Sequence, residues 1–298
     1  MAACPMGRLR NHPHAKPMKR YPKTTIVSTE MLMRDTRLLL LHLIDVDAVV
    51  GVARSGMLPA TILAVELHRP LYAVSRQHGV VPIGSGRRMD RYDDCRPVKT
   101  VLLVDDTMAR GVIMRAVLPA VCAHFPDARV IRATVYAPGR RLHLLDLCAV
   151  EYDMPHYLLY NIFDAPVHCL HALFDMDGIL CEDFTREEDD DGDRYLAAMA
   201  TKRPRWLPRY GPVRIVTARL ERYREPTMAW LDRHGIRVAE LIMGPWRDPR
   251  ERVGKIAEWK ARQYITRRPT RCNLFIESDP QQAKVIAKLA RRPVLCPS

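Results

Sequence analysis

Hydrophobic and polar positions follow two rhythms along this chain. Short aliphatic and β-branched runs alternate with longer stretches in which apolar residues recur at helical spacing. The first half predicts strands over Val46 to Ala53, Leu71 to Ser75, Val98 to Val104, Val130 to Tyr136 and Tyr157 to Phe163, with helices over Met57 to Leu67 and Val112 to His124. A second series predicts strands at Cys169 to Phe174, Val213 to Thr217, Val238 to Met243, Asn273 to Glu277 and near Val294. Its helices are Glu221 to Arg233, Arg250 to Tyr264 and Pro280 to Ala290. Pro280 suits the first position of its helix, where a missing N–H leaves no bond unmade. The fold class expected is α/β, each half of the chain forming a mainly parallel sheet flanked by helices.

Length and composition refine that picture. The chain has 298 residues, more than one compact core usually holds, and 48% of them are hydrophobic, enough to fill two. Met1 to about Lys23 is rich in Pro, His, Arg and Lys with no apolar period, and reads as a basic flexible tail, 1–24. The domains expected are then 25–168 and 169–298. No run of roughly 18 apolar residues appears and the start lacks the order of a signal peptide, so a cytoplasmic protein with no membrane partner is expected. Eight cysteines are scattered without a CxxC pair, the pattern of reduced thiols. The net charge of +13 suits either nucleic acid or phosphorylated small molecules, and no DNA-reading motif favours the first. A homodimer is an assembly that the sequence allows.

Two stretches of the first half carry candidate chemistry. VLLVDDTMARG, Val101 to Gly111, delivers Asp105 and Asp106 to a strand tip, followed by a turn whose backbone N–H groups can ring a phosphate. Adjacent carboxylates are costly beside an anion and need another task, such as binding the hydroxyls of a ribose. The run resembles the phosphoribosyl-pyrophosphate loop of type I phosphoribosyltransferases. DAVVGVARSGMLPA, Asp47 to Ala60, is similar to that family's pyrophosphate loop, with Arg54, Ser55 and Gly56 in the turn and Pro59 opening a helix. The resemblance implies that Asp105, Asp106, Ala109, Arg110 and Gly111 hold the sugar phosphate. It also implies a closing loop over Gln77 to Asp94, whose Arg87, Arg88 and Arg91 would meet the pyrophosphate. Tyr157 to Phe163 corresponds to a base-binding hood. The loop departs from the family pattern at Ala109, Arg110, Val112 and Ile113, where hydroxyls are expected, and the Arg110 guanidinium is a replacement suited to phosphate.

The second half opens on ALFDMDGIL, Ala172 to Leu180, which sends Asp175 and Asp177 to one point with Gly178 supplying the turn. A carboxylate attacking a phosphoryl group needs a cation to offset repulsion and an acid to protonate the leaving oxygen. The run resembles the first motif of haloacid dehalogenase-like phosphatases, and similar motifs follow in order. RIVTAR gives Thr217, the helix gives Lys260 in EWKARQY or else Lys255, with Lys260 preferred, and FIESDPQQA gives Glu277 and Asp279. The resemblance implies Mg²⁺ held by Asp175, Asp177, Glu277 and Asp279, catalysis through an aspartyl-phosphate, and a minimal cap. The acidic run Glu187 to Asp193 reads as a solvated loop.

Both domains are then Rossmann-like. The function expected is a bifunctional enzyme of nucleotide metabolism, with phosphoribosyl pyrophosphate and nucleotides as substrates. Two alternatives remain: a phosphatase whose first domain only senses such a ligand, and a phosphatase of polynucleotide ends.

Overall fold

The computed structural model describes residues 17–20, 25–43, 45–85, 97–152, 156–190, 192–267 and 274–297. The chain divides into two compact units, Met1–Leu158 and Leu159–Ser298. Both are mixed α/β, with mainly parallel sheets and flanking helices. Among the described residues, no helix is long and apolar enough to cross a membrane.

The first unit contains strands β1 (Lys19–Arg20), β2 (Thr25–Val27), β3 (Ala48–Val52), β4 (Leu71–Ser75), β5 (Gly79–Gly84), β6 (Thr100–Thr107), β7 (Arg129–Ala137), β8 (Leu147–Glu151) and β9 (His156–Leu158), and helices α1 (Thr29–Thr36), α2 (Met57–Leu67) and α3 (Val112–His124). Among the described residues, seven strands form one sheet in the order β1-β8-β7-β6-β3-β4-β5. Its pairs are parallel except the β4/β5 hairpin. Every residue of β3 is buried, as expected for an inner parallel strand covered on both faces. Val50, Val52 and Leu103 pack with Val117, Val121 and Phe125 in one core. The chain leaves β3 toward β4 on one side and β6 toward β7 on the other. A crevice therefore opens beyond the carboxyl ends of β3 and β6, where the connections diverge.

The second unit contains α4 (Pro166–His171), β10 (Ala172–Phe174), α5 (Asp193–Thr201), β11 (Val213–Leu220), α6 (Arg224–Arg233), β12 (Val238–Gly244), α7 (Pro249–Arg252), α8 (Ile256–Thr266), β13 (Leu274–Ile276), α9 (Pro280–Ala290) and β14 (Val294–Leu295). Its sheet is parallel, in the order β12-β11-β10-β13-β14. Leu173, Val216, Phe275 and Ile286 pack with Ala261 and Tyr264 of α8. Here the connections diverge between β10 and β13, the two strands that carry Asp175 and Glu277 at their tips.

Four expectations change. Lys19–Arg20, read as tail, pairs in parallel with β8. Tyr157 to Phe163 is not one strand: β9 ends at Leu158 and a 3-10 helix runs over Leu159–Asp164. Cys169 to His171 is helical because Pro166 at the first turn starts α4, leaving only Ala172–Phe174 extended. The helix expected over Arg250 to Tyr264 is two helices, with Gly254 at φ 70° between them.

Candidate functional sites

In the first unit both sequence motifs end at the β3/β6 crevice. The turn after β3 holds Arg54, Ser55 and Gly56, with a cis peptide between Ala53 and Arg54. Gly56 lies against β6 so closely that a Cβ there would stand 2.7 Å from Asp105 Oδ1 and 2.6 Å from the Val52 carbonyl. The two loops are thus in contact. Asp105 Oδ1 accepts from the Asp106 amide at 2.9 Å, and Asp106 Oδ1 from the Thr107 amide at 2.7 Å. Burial first, and then the charge of Asp106, pushes the Asp105 carboxyl well above the usual carboxylate range.

Beyond the acidic pair the chain turns through Ala109 and Arg110, both exposed, to Gly111, whose φ of 71° starts α3. The first amides of this 13-residue helix have no intrahelical acceptors and attract anions. A cavity of about 460 Å³ opens here, lined by Asp105, Thr107, Ala109, Arg110 and Ile113 among others. Val112 and Ile113, where hydroxyls were expected, are 51% and 42% exposed. Arg87, Arg88 and Arg91 lie outside the described residues. Of the hood aromatics, Tyr157 is fully buried, and Phe163 belongs to the second unit, stacking on Trp206.

Sequence reasoning missed three residues at this tip. Thr107 Oγ1 lies 3.0 Å from His156 Nε2, and the His156 ring stands 3.6 Å from that of Tyr152. Burial pushes the Tyr152 hydroxyl up to about 12. Only Thr107, adjoining the acidic pair, had a local signal.

In the second unit Asp175 follows β10 directly. Its Oδ1 accepts from the Met176 amide at 2.9 Å, and its Oδ2 from Lys260 Nζ at 2.8 Å. The same ammonium donates to Glu277 Oε2 at 2.8 Å, and Glu277 Oε1 accepts from the Ser278 and Asp279 amides. All three side chains are buried. Burial and the neighbouring Glu277 charge push the Asp175 carboxyl well up, with Lys260 offsetting only part. For Lys260 burial opposes the charge, and the two carboxylates outweigh it, so the ammonium stays protonated. Lys255, by contrast, is exposed at the start of α8.

Thr217 is fully buried, and its Oγ1 accepts from the Arg219 amide at 3.2 Å. It sits in a β-bulge: between paired Val216 and Leu220, β11 has Thr217, Ala218 and Arg219 where β12 has Met243 alone. The bulge turns Arg219 inward to Asp177. Arg219 Nε lies 3.1 and 3.2 Å from Asp177 Oδ1 and Oδ2, Nη2 donates to Oδ1, and Nη1 donates to Thr227 Oγ1 at 3.1 Å. Gly178, at φ 73°, makes the turn after Asp177, and a Cβ there would meet Ser278. Arg219, Thr227 and Ser278 are further members of the site. Arg219 had no clear signal of its own, because β11 also holds Arg214 and the sequence does not say which of the two arginines is buried and must be paired.

The structure does not gather all four carboxylates expected to hold Mg²⁺. Asp177 lies on Arg219, and Asp279 caps α9, Oδ1 accepting from the Gln281 and Gln282 amides at 2.7 and 3.1 Å. Among the described residues, no group of three or more His, Cys, Asp or Glu side chains forms a metal site. Asp175 and Glu277 nevertheless fit a hard cation, being two buried oxygen ligands whose repulsion one ammonium does not cancel. The acidic run is a solvent-facing loop through Asp190, tied down by ion pairs and a helix start. Glu188 pairs with Lys202 at 2.6 Å, Asp189 lies 3.5 Å from Arg252, and Asp190 accepts from the Gly192 and Tyr195 amides at the start of α5.

No family model matches the chain, and no curated protein does. Solved structures are similar in backbone over just under half of it. The Helicobacter pylori xanthine-guanine-hypoxanthine phosphoribosyltransferase shares 17% identity, covering 47% of this chain and 94% of that one, with a TM-score of 0.36. A purine phosphoribosyltransferase from Pyrococcus horikoshii shares 17%, covering 46% and 93%, with a TM-score of 0.34. An orotate phosphoribosyltransferase from Aeropyrum pernix shares 20%, covering 45% and 75%, with a TM-score of 0.32.

Proposed function

We propose a two-site protein of nucleotide metabolism. Its first unit binds phosphoribosyl pyrophosphate or a nucleotide and transfers the phosphoribosyl group, and its second unit hydrolyses phosphomonoesters through an aspartyl-phosphate. The observation that carries this reading is the buried Asp175–Lys260–Glu277 cluster, with Lys260 Nζ at 2.8 Å from each carboxylate at adjacent strand tips.

At that cluster an Asp175 oxygen attacks phosphorus while Asp177 protonates the leaving alcohol oxygen. A water then attacks the phosphoryl group, Asp177 takes its proton and Asp175 is restored. Lys260 and the Thr217 hydroxyl stabilise the phosphoryl oxygens. Asp175 and Glu277 would hold Mg²⁺, which supplies further charge to offset the incoming phosphate. In the first unit Asp105 and Asp106 bind ribose hydroxyls. The α3 amides and Arg110 bind the 5-phosphate, and Arg54, Ser55 and Gly56 receive the pyrophosphate.

A panel of nucleobases with phosphoribosyl pyrophosphate, and of nucleoside monophosphates with Mg²⁺, tests both halves. Base-dependent pyrophosphate release lost in Asp105→Asn, and phosphate release lost in Asp175→Asn, are expected. Phosphate release that persists in Asp175→Asn removes the second half. The exposed Ala109, Val112 and Ile113, which put no hydroxyl on the phosphate loop, favour one other reading, a first unit that senses its ligand without reacting. Calorimetric binding without pyrophosphate release is the result that selects it.

A further inference from the structure

The phosphatase reading needs Asp177 to hand over a proton and take one back, yet in the structure Asp177 is gripped by a buried guanidinium. We propose that Arg219 is the positioning residue of that step: it clamps one oxygen of Asp177 so that the other is presented to the leaving group. The proposal rests on the phosphatase reading of the Asp175 site.

Three observations carry it. Asp177 Oδ1 is saturated, accepting from Arg219 Nη2, from Arg219 Nε at 3.1 Å and from the Cys181 thiol at 3.4 Å. Among the described residues Oδ2 has one contact, with Arg219 Nε at 3.2 Å, and is the less engaged of the two oxygens. Arg219 itself is 1% exposed while the Asp177 side chain is 23% exposed, so the carboxylate, and not the arginine, is open to solvent. The guanidinium is in turn fixed from behind. Nη1 donates to Thr227 Oγ1 in α6 at 3.1 Å, and the Phe184 ring covers its face at 5.4 Å. A fork held at both ends fixes the plane of the carboxylate it grips.

In the first half-reaction a bond forms from an Asp175 oxygen to phosphorus, the bond from phosphorus to the alcohol oxygen breaks, and that oxygen takes the proton from Asp177 Oδ2. In the second, a water oxygen displaces Asp175 from phosphorus and its proton returns to Oδ2. Arg219 stays charged throughout.

A leaving group that needs no proton is the discriminating probe. Nitrophenolate departs from nitrophenyl phosphate unaided, whereas glycerol departs from glycerol phosphate as an alkoxide unless protonated. Measured on the full chain with Mg²⁺ as single-turnover release of the leaving group, Arg219→Ala is expected to slow release of glycerol by about 100-fold and of nitrophenol by less than about tenfold. Thr227→Val, which frees the back of the fork and preserves side-chain volume, is expected to shift the two substrates apart in the same sense by a smaller factor. It decides the matter if Arg219→Ala does not fold. Equal losses on both substrates in folded variants overturn the positioning role and leave the phosphatase intact. A wild-type chain that hydrolyses neither substrate overturns the phosphatase reading itself.

Discussion

At Gly56 a methyl group would stand within 2.7 Å of Asp105 Oδ1. Gly56→Ala is therefore expected to push the acidic pair aside, costing about 1–3 kcal/mol of stability and abolishing calorimetric binding of phosphoribosyl pyrophosphate. Asp105 carries the opposite trade. Its pKa in the folded protein is raised, so its contribution to stability is complete at acid pH and declines as pH rises and the buried carboxyl ionises. Asp105→Asn is expected to raise the melting temperature at pH 8 relative to wild type, and to lose sugar binding, with the gain vanishing near pH 4. In the second site Lys260→Met is expected to stop phosphate release, whereas Lys255→Met changes it by less than about twofold, because only Lys260 reaches Asp175. Residue identities at strand tips were legible in the sequence, since an apolar run ending in Asp or Glu says where the side chain emerges. Arg219 was not, because a bulge that turns it inward leaves no mark on the pattern of VRIVTARL.

At the scale of elements, the inner parallel strands were legible because burial on both faces writes itself as a continuous apolar run. The short and one-sided elements were not. β1 has two residues, β5 is an exposed edge, and α5 begins inside an acidic stretch that reads as solvent loop. The turn of Cys169 to His171 into α4 followed from Pro166, and His168 in that helix is half-buried. Burial lowers the His168 imidazole to about 4. A depressed folded pKa contributes stability above the ordinary histidine value and loses it as pH falls toward 4, because only the unfolded chain then gains the proton. The second unit is expected to lose on the order of 1–3 kcal/mol between about pH 6.5 and 4, read from urea midpoints, and His168→Gln should flatten that slope. An unchanged slope would assign the acid sensitivity to another group.

For the whole molecule, two compact units each carry their own candidate groups, so the sites are expected to fail separately. Asp175→Asn should bind phosphoribosyl pyrophosphate like wild type, and Asp105→Asn should release phosphate like wild type; loss of both functions in either variant would show that the sites act as one. Fold class was readable at this scale because strand and helix periods alternate in order along the chain. The partners of Asp177 and Asp279 were not readable, because pairing with Arg219 and capping of α9 depend on three-dimensional neighbours. The central claim is the covalent step at Asp175. A labelled phosphomonoester mixed with the enzyme and Mg²⁺, quenched in acid during turnover and digested, should leave its phosphoryl label on the peptide containing Asp175, and in Asp175→Asn the label should vanish. Sustained phosphate release with no label on that peptide would contradict the account.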